Sequence, residues 1–191
     1  MSMTLTRSYN RYGDAKAAVH DLKAAGIAEG EISLIANKED DGIGDGIATG
    51  AGVGAAGGAG IGLLTGVGLM AIPGVGPVVA VGWLAAAAVG AVAGAAAGAA
   101  AGGMIDAMVG SGIPEKDAHV YAESVRRGAA LVSVRVSDVN QTEAAAILDR
   151  HKPIDVVSRR RELESGGWSA FDSEGRPYSR EQLDAERKGN L

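Results

Sequence analysis

Along Leu131–Val136 apolar and polar side chains alternate, with Val132, Val134 and Val136 on one face and Ser133 and Arg135 on the other. That period of two predicts the clearest strand in the chain. A shorter β-prone run covers Thr4–Tyr9, and Ile32, Leu34 and Ile35 predict a strand over Glu31–Ala36. Helical spacing takes over elsewhere. Asp14 caps a helix whose apolar face is Ala15, Ala18, Val19, Leu22 and Ala25, stopped at Gly26. Pro114 suits a first helical position ahead of Ala118, Tyr121, Ala122 and Val125, with Gly128 as the stop. Thr142–His151 predicts a helix with Ala144, Ile147 and Leu148 inward, and Pro153–Val157 a closing strand.

The two halves of this pattern resemble each other. Ala15–Ile27 and Glu143–Ile154 both run from an Ala-rich helix through a breaker to an Ile that leads into a strand. Two strand–helix–strand units predict an α+β fold, a duplicated βαβ sandwich of the ferredoxin-like kind, built from residues 1–41 and 111–161.

Between the halves, residues 42–110 follow a different rule. Gly42, Gly46, Gly50, Gly54, Gly58, Gly62 and Gly66 stand four apart, and Gly82, Gly90, Gly94, Gly98 and Gly102 form a second ladder with Ala86 in its gap. On a helix such a ladder is a smooth groove. Each interior glycine costs about 1 kcal/mol relative to alanine, so seven in register need an offset of about 7 kcal/mol. Close backbone approach of a second helix is the usual one. No charge occurs from Gly46 to Ile105. Helices over Ile47–Ile72 and Val78–Val109 would be about 39 Å and about 48 Å long, joined in an antiparallel hairpin by the Ile72–Pro77 connector with its two prolines.

Two destinations follow for this hairpin. Its charge-free length exceeds the roughly 30 Å hydrocarbon core of a bilayer, which places it in or on the inner membrane, on the cytoplasmic side, as a homo-oligomer. Against this, Ala85–Gly103 is nearly all Ala and Gly, and the flanks Asp40, Asp41, Asp45 and Asp106 are acidic. The alternative is a soluble cytoplasmic homo-oligomer (ring, cage or filament) with the hairpins packed inside. The partners expected are therefore other copies of the chain and membrane lipid.

Charge and composition remove other classes. The net charge of −5 offers no basis for nucleic-acid binding. The chain has no cysteine, hence no disulfide, thiolate metal site or cysteine nucleophile, and Met1–Arg7 does not read as a secretory signal. GVGAAG at Gly52–Gly57 matches a dinucleotide-binding glycine pattern in form only, since no strand precedes it and no acidic residue follows at ribose distance. Asp40, Asp41 and Asp45 lack calcium-loop spacing. His20, His119 and His151 read as solvated helix positions without metal-ligand partners. Arg126-Arg127 complements a helix C-terminus, and Arg159-Arg160-Arg161 reads as a solvated strand end or a contact for anionic lipid or an acidic neighbour. No cofactor, metal or catalytic residue is expected, and the chain does not read as an enzyme.

The order of parts brings a resemblance into view. A helix ending in AAGI, the strand EISLIAN, a long Gly/Ala segment with the turn AIPGVGP, and GIPEKDAHVYAESVRRGAALVSVRV together resemble the bacterial general-stress, or heat-induced stress, protein family. The likeness spans roughly Leu5–Val157. Its most telling pieces are Gly112-Ile113-Pro114-Glu115, Tyr121-Ala122-Glu123 and Arg126-Arg127-Gly128. The resemblance implies a bacterial, stress-associated, non-enzymatic protein and supplies no catalytic residue.

Residues 162–191 form a tail outside that likeness. Trp168, Phe171 and Tyr178 are spaced through a polar segment, with Gly166-Gly167 as a hinge and Pro177 as a stiffener, which predicts a docking strap laid on an adjacent subunit. Ser179 and Gln182 predict a capping box opening a short helix.

Overall fold

The computed structural model describes residues 2–37, 68–72, 74–84, 86–87 and 102–189. Strand β1 (Ser2–Tyr9) leads into α1 (Tyr12–Ala24), a short 3-10 turn (Glu29–Glu31) and β2 (Ile32–Asn37). The chain resumes as β3 (Gly68–Ile72) and β4 (Gly76–Val81), then α2 (Gly102–Gly110) and α3 (Glu115–Arg126). After β5 (Ala130–Ser137) come α4 (Gln141–Arg150), α5 (Val156–Ser165) and α6 (Arg180–Gly189). The strands form one sheet in the order β1-β5-β2-β4-β3, with every neighbouring pair antiparallel. The fold is α+β.

The alternation in β5 places that strand at the centre of the body. Val132, Val134 and Val136 face α1 and α4 in a core with Tyr9, Leu22 and Leu148. Leu131 faces the other way, with Ile35, Val78, Met108 and Tyr121, under α2 and α3. Because β1 and β2 each run antiparallel to β5, they are parallel to one another with β5 between them. Helix α1 is thus the crossover of a split strand–helix–strand unit. Ser133 pairs with Thr6 on one side and Ser33 on the other, so three small buried hydroxyl residues cross the sheet in a row. Thr6 Oγ1 and Ser133 Oγ lie 2.8 Å apart, and Ser33 Oγ donates to the Val81 carbonyl at 2.8 Å. Their small size lets α3 approach the sheet closely enough for the Tyr121 hydroxyl to donate to the Thr6 carbonyl at 3.0 Å. Burial pushes the Tyr121 phenol up to about 12, and it raises that of Tyr9, whose hydroxyl donates to the Leu148 carbonyl at 3.0 Å.

Asp14, expected as a cap, lies inside the first turn of α1, whose N-cap is Arg11. Two expectations about the course of the chain are also corrected. Residues 68–72 and 76–81 are strands where helices were expected to end and begin, and the connector is the turn of a β-hairpin. A continuous apolar run cannot distinguish a buried helix from a strand buried on both faces. Here Val78 and Val79 are buried on opposite faces of the sheet. Such burial is worth about 1.5–3 kcal/mol per side chain, while helix propensities differ by only some tenths per residue. Gly82 then ends β4 with φ +89, and a Cβ there would collide with the Ile32 carbonyl. Its missing side chain serves β2–β4 packing, outside any helix. The second correction concerns Pro153–Val157. Only Ile154 pairs there, through a single bridge in which its N–H donates to the Ser8 carbonyl at 2.7 Å. Asp155 then caps α5, accepting from the Ser158 N–H at 2.7 Å, and the hydrogen bonds from Ser158 hold its carboxyl below the usual range.

Candidate functional site

A group of charged and aromatic side chains converges at the C-terminal end of α3, under the tail. Glu123 is fully buried, and its Oε1 accepts from Arg126 at 2.8 Å and from Arg127 at 2.6 Å, one helical turn ahead. Burial works against the charge on Arg127, but its bonds to Glu123 and to Glu186 of α6 outweigh that and raise its pKa. Both guanidinium groups lie against the Tyr178 ring, at 5.4 and 5.3 Å from its centroid, and Arg126 also lies 5.9 Å from that of Phe171. These are cation–π distances.

The tail is laid on the chain's own body, where an adjacent subunit was the expected surface. Phe171 enters the core beside Ile72 and Val75, and its backbone N–H donates to His119 Nδ1 at 3.2 Å. Past it, the Asp172–Gly175 turn closes over Arg126, with the Gly175 N–H donating to the Asp172 carbonyl at 3.3 Å. The tail also lies on the β3–β4 turn. A Cβ at Gly74 would come within 2.6 Å of the Asp172 carbonyl oxygen, and one at Gly76 within 2.8 Å of Pro177 Cβ. Trp168 is half-buried at the start of this path. The expected capping box is present: the Ser179 N–H donates to Gln182 Oε1 at 2.9 Å, and the Gln182 N–H reaches Ser179 Oγ at 3.4 Å. It opens α6, whose Leu183 is fully buried against Gly128.

Four participants were missed in the sequence: Glu123, His119, Leu183 and Glu186. The spacing of Glu123 to Arg126 and Arg127 is the i, i+3 and i, i+4 pattern of helix ion pairs, so a charge reading of α3 would have found it. Leu183 is the one large apolar residue of its helix, a signal that was legible. Nothing local marks His119 or Glu186.

Other expectations fall as follows. His119 and His151 are not simply solvated: His151 Nε2 lies 3.0 Å from Asp21 Oδ2, across the α1–α4 contact. That bond, with a smaller one from His20, lowers the Asp21 pKa. The three arginines after Ser158 sit on a helix, not a strand end. Arg159 meets Glu162 at 2.8 Å, and Arg160 pairs with Asp117 of α3. Gly46, Gly50, Gly54, Gly58, Gly62, Gly66, Gly90, Gly94 and Gly98 lie outside the described residues, as do Asp40, Asp41, Asp45 and the Gly52–Gly57 pattern; Gly102 opens α2. Among the described residues no group of three or more His, Asp and Glu is placed to hold a metal ion. No helix among them is long and apolar enough to cross a membrane.

No family model matches this chain, and neither the curated proteins nor the solved structures contain a match to it.

Proposed function

We propose that this chain is a non-enzymatic, stress-associated protein that assembles with copies of itself through its two glycine ladders. The observation that carries the reading is where the ladders leave and rejoin the body. The first runs between β2 and β3, and the second between β4 and α2, so the β4–β3 pair at one sheet edge separates them. A charge-free ladder of four-residue period is material for close helix contact, and that edge holds one end of each ladder. The stress association rests on the family resemblance alone. In the same reading the body is a ferredoxin-like unit, with β1, β5 and β2 in place and Ile154 marking the position of a fourth strand beside β1.

Insertion of the ladders in or on the inner membrane, from the cytoplasmic side, draws on their charge-free length. A specific observation favours the soluble assembly instead. Of the apolar side chains at the start of the second arm, Val78, Val79, Val81 and Leu84 are buried in the body and Trp83 is half-buried. Replacing Gly54 and Gly58 by Leu forces helices apart and is expected to lower the assembled mass in sedimentation. An unchanged mass for that double variant overturns the assembly reading. Fractionation of cells after a carbonate wash decides between the two settings: a pellet supports membrane insertion, a supernatant the soluble form.

A further inference from the structure

We infer that the strap, residues 168–186, is a clasp on the β3–β4 hairpin of its own chain, and that its seating holds the root of the first glycine ladder beside that of the second. The inference rests on the self-assembly reading for what the hairpin carries. It deepens that reading by naming the element that regulates the ladders.

Three observations carry it. First, the hairpin gathers both roots. Gly68 of β3 pairs with Ala80 of β4, so the chain enters and leaves the hairpin at one end, with Gly66 two residues before that pair and Gly82 two residues after it. Neighbouring strands lie about 4.7–4.9 Å apart, so a seated hairpin sets the starting points of the two ladders side by side. Second, the two roots are held unequally. At the second, a Cβ on Gly82 would come within 2.0 Å of the Ile32 carbonyl oxygen, and β4 pairs with β2 from Val78 to Val81. β3 has no such hold. It is the edge strand, paired among the described residues with β4 alone.

Third, the strap supplies the missing hold. The turn from Ile72 to Gly76 lies beyond the part of β4 that pairs with β2, and the strap covers it. The backbone of Asp172 lies against Gly74, the ring of Pro177 against Gly76, and Phe171 shares a cluster with Ile72 and Val75. At its other end the strap is anchored on α3, by Tyr178 on Arg126 and Arg127 and by Leu183 on Gly128. The clasp therefore ties an edge strand to α3. The link over residues 164–167 is exposed and ends in two glycines, so the strap lifts without moving α5. A unit of this kind opens below the free energy of global unfolding.

Native-state hydrogen exchange on the full chain, at rising guanidinium below the unfolding transition, tests the clasp. The Leu183 N–H donates to the Ser179 carbonyl in the strap, and the Val75 N–H to the Ile72 carbonyl in the turn. The expected result is one shared opening for these amides and those of β3, below that of β5. Tyr178→Ala removes the ring from Arg126 and Arg127 and leaves the hairpin's own residues in place. It should speed exchange in α6 and in β3 alike, by about tenfold. Faster exchange in α6 with β3 unchanged overturns the clasp, and so does a β3 that opens only together with β5. In sedimentation the same variant is expected to show a lowered assembled mass; an unchanged mass alongside coupled exchange overturns the link to the ladders. Failure of the assembly reading is distinguishable. An unchanged mass for the Gly54→Leu, Gly58→Leu variant sinks that reading and leaves the exchange comparison within the body as it stands.

Discussion

Replacing Phe171 by Ala tests whether the tail belongs to the core. The ring is 8 % exposed and lies in the cluster of Ile72, Val75, Met108 and Leu131, with its Cζ 3.0 Å from where a Cβ on Gly74 would stand. Transfer of a buried aromatic side chain back to water costs about 1.5–3 kcal/mol. The cavity left behind brings the loss for Phe→Ala into the range of about 3–5 kcal/mol. The contact with Arg126 adds about 0.5–1 kcal/mol at most, since that guanidinium keeps Glu123 and Tyr178. Local detachment of the strap sets a ceiling on the total. If the strap comes away at a cost below that of global unfolding, the loss cannot exceed its docking free energy. An expected loss of about 3 kcal/mol therefore sits at the low end of the range. Denaturant unfolding of the full-length variant measures it. Hydrogen exchange at the amides of β3, β4 and α3 then separates detachment from global loss. A change below about 1 kcal/mol, with unaltered protection in β4, would refute the placement of Phe171 in the core.

Three further outcomes follow from the same geometry. Gly82→Ala meets both a positive φ and the Ile32 carbonyl, and is expected to lose about 3 kcal/mol or more by the strain and clash combined; Gly13→Ala, with open space in α1, should be neutral or gain about 0.5 kcal/mol in a thermal melt. Glu123→Gln strips the shared carboxylate from two arginines and should cost about 3 kcal/mol in denaturant unfolding, while an exposed control, Glu164→Gln, should not. Tyr9 and Tyr121 have raised pKa values, so the native state retains their protons when the unfolded chain begins to release them. The stability this brings is complete below about pH 10 and is lost as pH rises from there toward 12. Tyrosinate absorbance and circular dichroism followed together should show these two ionising only with unfolding.

Much of the fold was legible because it depends on local period. Val132, Val134 and Val136 alternate because β5 has two different faces, and the helix faces of α1, α3 and α4 follow a 3.6-residue period, so neighbours in sequence carry the signal. The Ser179–Gln182 capping box is likewise a contact between near neighbours. The candidate site was legible only in pieces. Phe171 and Tyr178 stood out as apolar area in a polar tail, and the spacing of Glu123, Arg126 and Arg127 was there to be read. That these residues converge depends on α3 and α6 meeting, and no local signal specifies such a meeting.

The rest was decided by tertiary structure. Val78–Val81 is apolar at every position, and apolar residues buried on both faces have no period to read; pairing of β4 with β2 made it a strand. At Ile154 one bridge to Ser8 competes with the Asp155 cap, and the cap begins a helix where the pattern called for a strand. Gly82 belongs by spacing to a ladder of helix glycines, yet its place is set by the Ile32 carbonyl against it. Periodicity in a sequence reports how many faces a segment buries, whereas the partner on each face is selected by the whole chain's competition for buried surface.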